Sequence, residues 1–325
     1  MNTDGVDMME KKKTVILGGG TGLSTLLSGL KQFPLDITAV VSVCDDGKST
    51  GRLREEFNMP AVGDIRRVLV SLSEVEPLVE KLVNYRFETT SDLDGHTVGN
   101  LLLAAMNNIT GNMSEGIEAL SKVFNLKGSV LPLTEDNVVL MGKMKDGSVI
   151  EGEHNITQSQ KQISRVYYKH RAHINPKVLK EIDEADLILL SMGSLYTSII
   201  PNLLDREIIR ALDKSKAKIM YVCNMMTQPG ETDEYTVSDH VKAINQYLGK
   251  HKIDVVIANN GKISKHLIEK YSDLEQKDPV KLDYDKLEKL NLELIEDNFV
   301  MVEKESQYLR HNVIRLAFHI FSYLI

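Results

Sequence analysis

Short apolar runs alternate with stretches of helical spacing along most of this chain. Thr14 to Leu17 and Ile37 to Val43 are continuous and rich in β-branched residues, as strands buried on both faces require, and Leu23 to Lys31 between them has the period of a helix. Helical patterns follow from about Asp64, from Glu74 to Val83 and from Val98 to Asn108. Further on, a helix near Pro176 to Ile182, a strand at Leu187 to Ser191, a helix from about Leu203 to Leu212 and strands at Lys218 to Cys223 and Asp254 to Ala258 restore the alternation. The succession predicts an α/β protein: a Rossmann-like, mostly parallel sheet flanked by helices. Asn137 to Gly152 breaks the rhythm with short strands about an Asp-Gly turn, a small β-hairpin excursion. The polar stretch from Glu269 to Lys289 carries no motif. Residues 1–12 read as a flexible tail and 13–325 as a single nucleotide-binding domain, closed by a helix over Val313 to Ile325 that Arg315 and His319 mark as packed on the body.

Charge narrows the range of partners. With 39 basic and 46 acidic side chains the formal net charge is -7, which gives no general attraction to nucleic acid, and only Lys161 to Arg171 resembles a basic stripe. Cys44 and Cys223 lie in apolar segments without a CxxC pair, the pattern of buried thiols in a reducing compartment. No run reaches the roughly 18 apolar residues that cross a bilayer, so no membrane insertion and a cytoplasmic location are expected.

The chemistry gathers at strand ends. Gly18-Gly19-Gly20-Thr21-Gly22 follows the first strand and either brings backbone N–H groups to a phosphate or ribose or simply turns the chain tightly. Asp45 and Asp46 follow the second strand, where two carboxylates can hold a magnesium ion beside a diphosphate, accept ribose hydroxyls, take a proton from an attacking hydroxyl, or cap a helix. Lys48, Ser49 and Thr50 add donors there. Arg52 and Arg54 pair with phosphate or with Glu55 and Glu56, and Asp64, Arg66 and Arg67 add an acid and two guanidiniums suited to phosphoryl oxygens. His96 and Asn100 are spaced to share one helical face, the histidine donating to phosphate or acting as a base. The nine histidines form no HExxH or HxH, which argues against zinc. Gly193, Ser194, Leu195, Tyr196 and Thr197 form a third loop offering N–H and hydroxyl groups, with Tyr196 able to cover a ring; Asn224 and Thr227 supply rim contacts from the next strand end. Ser194 sits in no GxSxG elbow, so anion binding is its more economical role.

Gly18-Gly-Gly-Thr-Gly22, Ser42-Val-Cys-Asp-Asp-Gly-Lys-Ser-Thr-Gly51, Gly63-Asp-Ile-Arg66, Gly95-His-Thr-Val-Gly-Asn-Leu101, Gly193-Ser-Leu-Tyr-Thr-Ser198 and Thr227-Gln-Pro-Gly-Glu-Thr232 together closely resemble the bacterial gluconeogenesis factor family, over about residues 12 to 325. That family is similar to 2-phospho-L-lactate transferase, which moves a phospholactyl-type group from a guanylyl diphosphate donor to a deazaflavin hydroxyl. In the transferase the acidic pair lies by magnesium and the acceptor hydroxyl, which the resemblance carries onto Asp45 and Asp46, with Asp46 the catalytic residue if the chain is an enzyme. Gly-Lys-Ser-Thr-Gly51 stands here in place of the transferase's histidine-bearing turn, and Met192 in place of a more usual proline. The resemblance therefore implies a cytoplasmic protein that binds a UDP-sugar such as UDP-N-acetylglucosamine and supports cell shape and wall-precursor supply during gluconeogenic growth. A regulatory protein partner and a homodimer are further expectations, the second because exposed helices of such folds often pair and the apolar C-terminal segment offers a surface for it. The alternative is a magnesium-dependent transferase moving a phosphate-containing group from a nucleotide diphosphate donor to a hydroxyl.

Overall fold

In the computed structural model, which describes residues 10–303 and 308–325, the apolar runs become twelve strands among those residues. They are β1 (Lys12–Gly18), β2 (Leu35–Val41), β3 (Ser129–Pro132), β4 (Leu140–Met144), β5 (Val149–Glu151), β6 (Ile163–Tyr168), β7 (Leu187–Leu190), β8 (Lys218–Val222), β9 (Val255–Asn259), β10 (Glu293–Asp297), β11 (Val300–Val302) and β12 (Leu309–His311). The helices between them are α1 (Gly20–Leu30), α2 (Lys48–Phe57), α3 (Gly63–Leu72), α4 (Pro77–Asn84), α5 (Val98–Thr110), α6 (Met113–Val123), α7 (Glu153–Ser159), α8 (Pro176–Glu184), α9 (Arg206–Lys214), α10 (Val237–Asn245), α11 (Lys265–Glu275), α12 (Tyr284–Leu287) and α13 (Val313–Leu324).

Seven strands form one sheet in the order β10-β9-β8-β7-β1-β2-β3, and every pairing in it is parallel. Side chains of β1 and β7 point into helices on both faces, which is why Val15, Ile16, Leu17 and Leu187 to Leu190 are all buried apolar residues. The chain runs outward from β1 through β2 to β3, then returns to place β7 on the other side of β1 and runs outward again to β10. The β1/β7 crevice is thus the point where strand order reverses, the place where open α/β sheets take their ligands. The C-terminal helix packs on the body as its spacing predicts, burying Leu316, Ala317 and Ile320, with Gly29 of α1 in close approach to the Val313 carbonyl.

Several boundaries differ from the sequence reading. α1 begins at Gly20 rather than Leu23, so the second half of the glycine turn is already the first turn of a helix. Lys48 to Gly51 is not a turn but the start of α2, a helix so polar that Leu53 is its one buried apolar side chain. The excursion also exceeds a hairpin: β6 pairs antiparallel with β4 on the side opposite β5, which extends it to Tyr168. The apparent basic stripe is this strand and its flanks, where Lys161, Lys169 and Arg171 are paired with Asp146, Glu151 and Glu207. The stretch from Glu269 to Lys289 holds the end of α11 and all of α12. Both cysteines are buried, and burial pushes the Cys44 thiol up to about 11 and the Cys223 thiol to about 12, so neither is a thiolate nucleophile. Among the described residues no helix is long and apolar enough to cross a membrane. Most of the tail expected over residues 1–12 lies outside the described residues.

Candidate functional site

The crevice is built by glycine. A Cβ on Gly18 would lie 2.0 Å from the Ser191 hydroxyl oxygen, and one on Gly22 would lie 1.9 Å from the Met192 carbonyl oxygen, so the loops after β1 and β7 meet backbone to backbone. Gly20 takes a left-handed φ of 63°, where a Cβ would cost about 1–2 kcal/mol. α1, α2 and α3 all begin at this edge without a capping side chain, leaving N–H groups at their positive ends for an anion. Beneath the turn the buried Ser191 hydroxyl and the Asn202 amide oxygen have no hydrogen-bond partner among the described residues.

The β7 loop is held by amide and carboxylate clamps. Asn224 accepts the Gly193 N–H at 2.9 Å and donates to the Gly193 carbonyl at 2.7 Å, which fixes the loop as two hydrogen bonds of a single side chain. Ser194 donates to Gln228 at 2.9 Å. Leu195, Tyr196 and Thr197 turn inward: Tyr196 is buried with its hydroxyl 3.1 Å from that of Tyr235, and Thr197 donates to Glu231. Tyr196 therefore supports the loop from below and does not cover a ring. Thr227 is buried and bonded to the Asp278 backbone, which brings Lys277 to the same rim.

A cavity of about 690 Å³ opens beside these loops, lined by Gly22, Gly193, Ser194, Asn224 and Thr227 together with Tyr271, Lys277, Tyr308, Arg310 and His311. Arg310 and Lys270 both lie over the Tyr308 ring. Sequence spacing did not mark this wall, because β12 arrives from the far end of the chain.

Acids gather on the other flank. Asp45 accepts the Gly47 N–H at 2.9 Å and the Thr50 hydroxyl at 3.1 Å, against Gly63, whereas Asp46 accepts the His154 N–H at 2.8 Å, against Gly152. The two carboxylates therefore serve different neighbours, and among the described residues no three His, Cys, Asp or Glu side chains converge as a metal shell. Asp64, buried under Gly19 and bonded to Arg67 at 2.6 Å, has its carboxyl raised to about 6, by burial first and then by the Asp45 charge. Glu153, which opens α7, is raised to about 8 by burial and by Asp45, Asp46 and Asp64. Burial alone lifts Glu231 to about 7 against the hydrogen bonds it accepts. Glu153 lies more than 100 residues from the acidic pair in sequence, and only the folded excursion brings it back.

A buried polar chain completes the site. Arg66 Nε donates to Asn100 at 3.1 Å, Asn100 donates to Ser49 at 3.1 Å, and Ser49 lies 3.0 Å from His96 Nδ1. The Ser49 hydroxyl, with one hydrogen and two lone pairs, accepts from Asn100 and bridges to Nδ1, donating to it or accepting from it according to the imidazole tautomer. Burial and the Arg52 charge hold His96 below the ordinary histidine range, so it is a neutral donor at pH 7. Burial and neighbouring arginines lower Arg66 to about 10, which leaves it charged. Lys48 is exposed at the first turn of α2, and Thr21 stands at the exit of the glycine turn.

Arg52 and Arg54 do other work than phosphate binding. Arg52 donates to the carbonyls of Asp92 and Asp94, and buried Arg54 donates to the carbonyls of Cys44, Asp45 and Val138 and to the Asn137 side chain. Arg54 thus pins the acidic loop to the excursion. Arg54→Ala is expected to cost about 2 kcal/mol in denaturant unfolding, because three carbonyls lose a charged donor, with Arg54→Lys recovering less than half.

The family model described as 2-phospho-L-lactate transferase CofD matches residues 14–300. The chain is 47% identical over 311 residues to the gluconeogenesis factor of Bacillus subtilis, covering 95% of this chain and 97% of that protein. It is 46% identical over 313 residues to the gluconeogenesis factor of Halalkalibacterium halodurans, covering 95% of each. A crystal structure of a Bacillus halodurans protein superposes with a TM-score of 0.92 at 46% identity, over 96% of this chain and 100% of that one.

Proposed function

The chain belongs to the gluconeogenesis factor family, which shares the CofD fold, and we propose on that premise that its sheet edge binds a nucleoside diphosphate-linked donor and passes a phosphate-containing group to a hydroxyl acceptor. One observation carries the reading: at the strand-reversal crevice, uncapped helix starts that favour a diphosphate lie beside carboxyls raised toward neutral pH. The nucleotide lies in the cavity of about 690 Å³, its ring against Tyr308 or Tyr271 and its phosphates over Gly19 to Gly22 and Gly193. The acceptor oxygen bonds to the transferred phosphorus, its proton passes to the Asp46 carboxylate, and the bond to the nucleoside monophosphate, which leaves as the anion, breaks. Arg66, through Asn100 and Ser49, holds the His96 ring in position beside a phosphoryl oxygen. Magnesium is the proposed counter-ion; because no three carboxylates converge among the described residues, Asp45 and Asp46 would hold it only together with the oxygens of the diphosphate, whose charge it would neutralise when bound.

A second reading rests on what the resemblance to the gluconeogenesis factor family implies. Binding of UDP-N-acetylglucosamine in the same cavity, without transfer, would make the protein a metabolite-responsive regulator of wall-precursor supply in gluconeogenic growth, acting through a protein partner. Calorimetric titration with UDP-N-acetylglucosamine and GDP, with and without magnesium, followed by an assay for nucleoside monophosphate release over a panel of hydroxyl acceptors, separates the two. Asn224→Ala is expected to weaken either ligand at least tenfold, about 1.4 kcal/mol, and Asp46→Asn to leave binding within threefold while abolishing release. Binding without release by the parent protein sinks transfer and favours the regulator. Silence toward both nucleotides at millimolar concentration sinks both.

A further inference from the structure

The structure holds a second concave surface away from the sheet edge. A cavity of about 900 Å³ lies between β6, α9 and the segment before α9, with Arg165, Arg206 and Arg210 on its rim and Val166, Leu203 and Tyr247 among its floor residues. Arg206 and Arg210 are four residues apart in one helix and so lie on one face, and Arg165 reaches the same space from the facing strand. Among the described residues none of the three makes an ion pair, although nearby Lys169 and Arg171 are paired with Glu151 and Glu207. Arg165 is set in place by the Tyr167 ring, 5.7 Å from its guanidinium carbon, and the Tyr247 hydroxyl accepts the Val166 N–H at 2.9 Å, which ties the floor to β6.

Local folding preferences oppose this arrangement. Arg206 is the first residue of α9, at the positive end of the helix, and its spacing from Arg210 makes a like-charge pair. Three guanidiniums without an ion pair, around an apolar floor whose one lining carboxylate, Asp205, caps α9 by accepting the Glu207 N–H, in a chain of net charge -7, are placed for an anion brought from outside. We propose that this cavity is a second ligand site, for a small phosphorylated organic anion: the arginines take the phosphate in forked hydrogen bonds, and the apolar or ring portion rests on Leu203, Ile209 and Tyr247.

Phenyl phosphate is the probe, titrated by calorimetry into the full chain at fixed ionic strength, with sulfate and hexaglutamate as comparison ligands. Expected are binding that survives Asn224→Ala, a loss of at least tenfold in the Arg206→Ala/Arg210→Ala double variant, and partial recovery in Arg206→Lys/Arg210→Lys, which keeps charge but not the fork. All three side chains are exposed, and unchanged unfolding midpoints verify the fold of each variant. Undiminished binding in the folded alanine double variant overturns the proposal, as does binding lost only with Asn224→Ala. Sulfate as tight as phenyl phosphate reduces the site to bulk charge and overturns it too, and tighter hexaglutamate reassigns the surface to an acidic protein partner.

Discussion

Gly22→Ala is expected to remove nucleotide binding by more than 100-fold and to cost about 3 kcal/mol in denaturant unfolding, near the upper end of ordinary overpacking. The added methyl would sit 1.9 Å from the Met192 carbonyl oxygen and 2.6 Å from its carbon, atoms of a backbone that cannot swing aside as a side chain would. Relief requires α1 to move away from the β7 loop. That movement parts Gly20 and Gly193 and pulls on the Asn224 clamp, so the diphosphate loses both walls at once. Gly147→Ala is the control: its φ of 87° imposes a strain of about 1 kcal/mol, but nothing lies within 4 Å of the new methyl, and ligand affinity stays unchanged. Equal ligand loss in both variants would mean that general destabilisation, not the crevice, explains the Gly22 effect.

The crevice was legible in the chain because strand periodicity and turn chemistry agree there. Val15 to Leu17 and Leu187 to Leu190 are apolar without interruption, as a strand between two helix layers must be, and the polar loops immediately after them locate one sheet edge. Where the signal was weak the reading slipped in a consistent direction. α2 is stabilised by tertiary contacts of Arg54 and Leu53 and not by an apolar stripe, so its residues read as turn. β6 buries Ile163 and Val166 but exposes Ser164, Arg165 and Tyr167, so it lacks the strict alternation of a half-buried strand and resembles a charged surface stretch.

The acids show what a sequence hides. Asp45 and Asp46 stand out because a buried strand ends on them, yet what tunes the pair comes from elsewhere: Asp64 from α3, set beneath Gly19, and Glu153 from the excursion. Neither position has local spacing that ties it to the pair. The same holds for Arg54, which could be assigned to phosphate or to Glu55 until its carbonyl partners were seen. Local pattern names the residues that start a site; long-range packing decides their charge and partners.

The raised carboxyls make stability fall with pH, and Glu153→Gln should reverse part of that fall. In the unfolded chain Glu153 titrates near 4.5, and in the folded protein near 8, so the folded state holds its proton more tightly. Its contribution is complete below 4.5, declines as pH rises, and is lost once pH passes 8. Asp64 and Glu231 add declines that end near 6 and 7. The parent protein should therefore lose stability steadily from pH 5 to pH 9. Glu153→Gln, which keeps the volume and cannot ionise, should flatten the segment above pH 7 and be more stable than the parent at pH 9 by roughly 1–3 kcal/mol. Magnesium tests the same cluster from the opposite side. If Asp45 and Asp46 hold the ion beside Asp64 and Glu153, millimolar magnesium raises the parent's melting temperature more at pH 8 than at pH 6, because ionisation of Asp64 and Glu153 adds negative charge next to the site, and Glu153→Gln loses part of the difference. An equal shift at both pH values would place the ion elsewhere and leave the acid cluster to proton transfer alone.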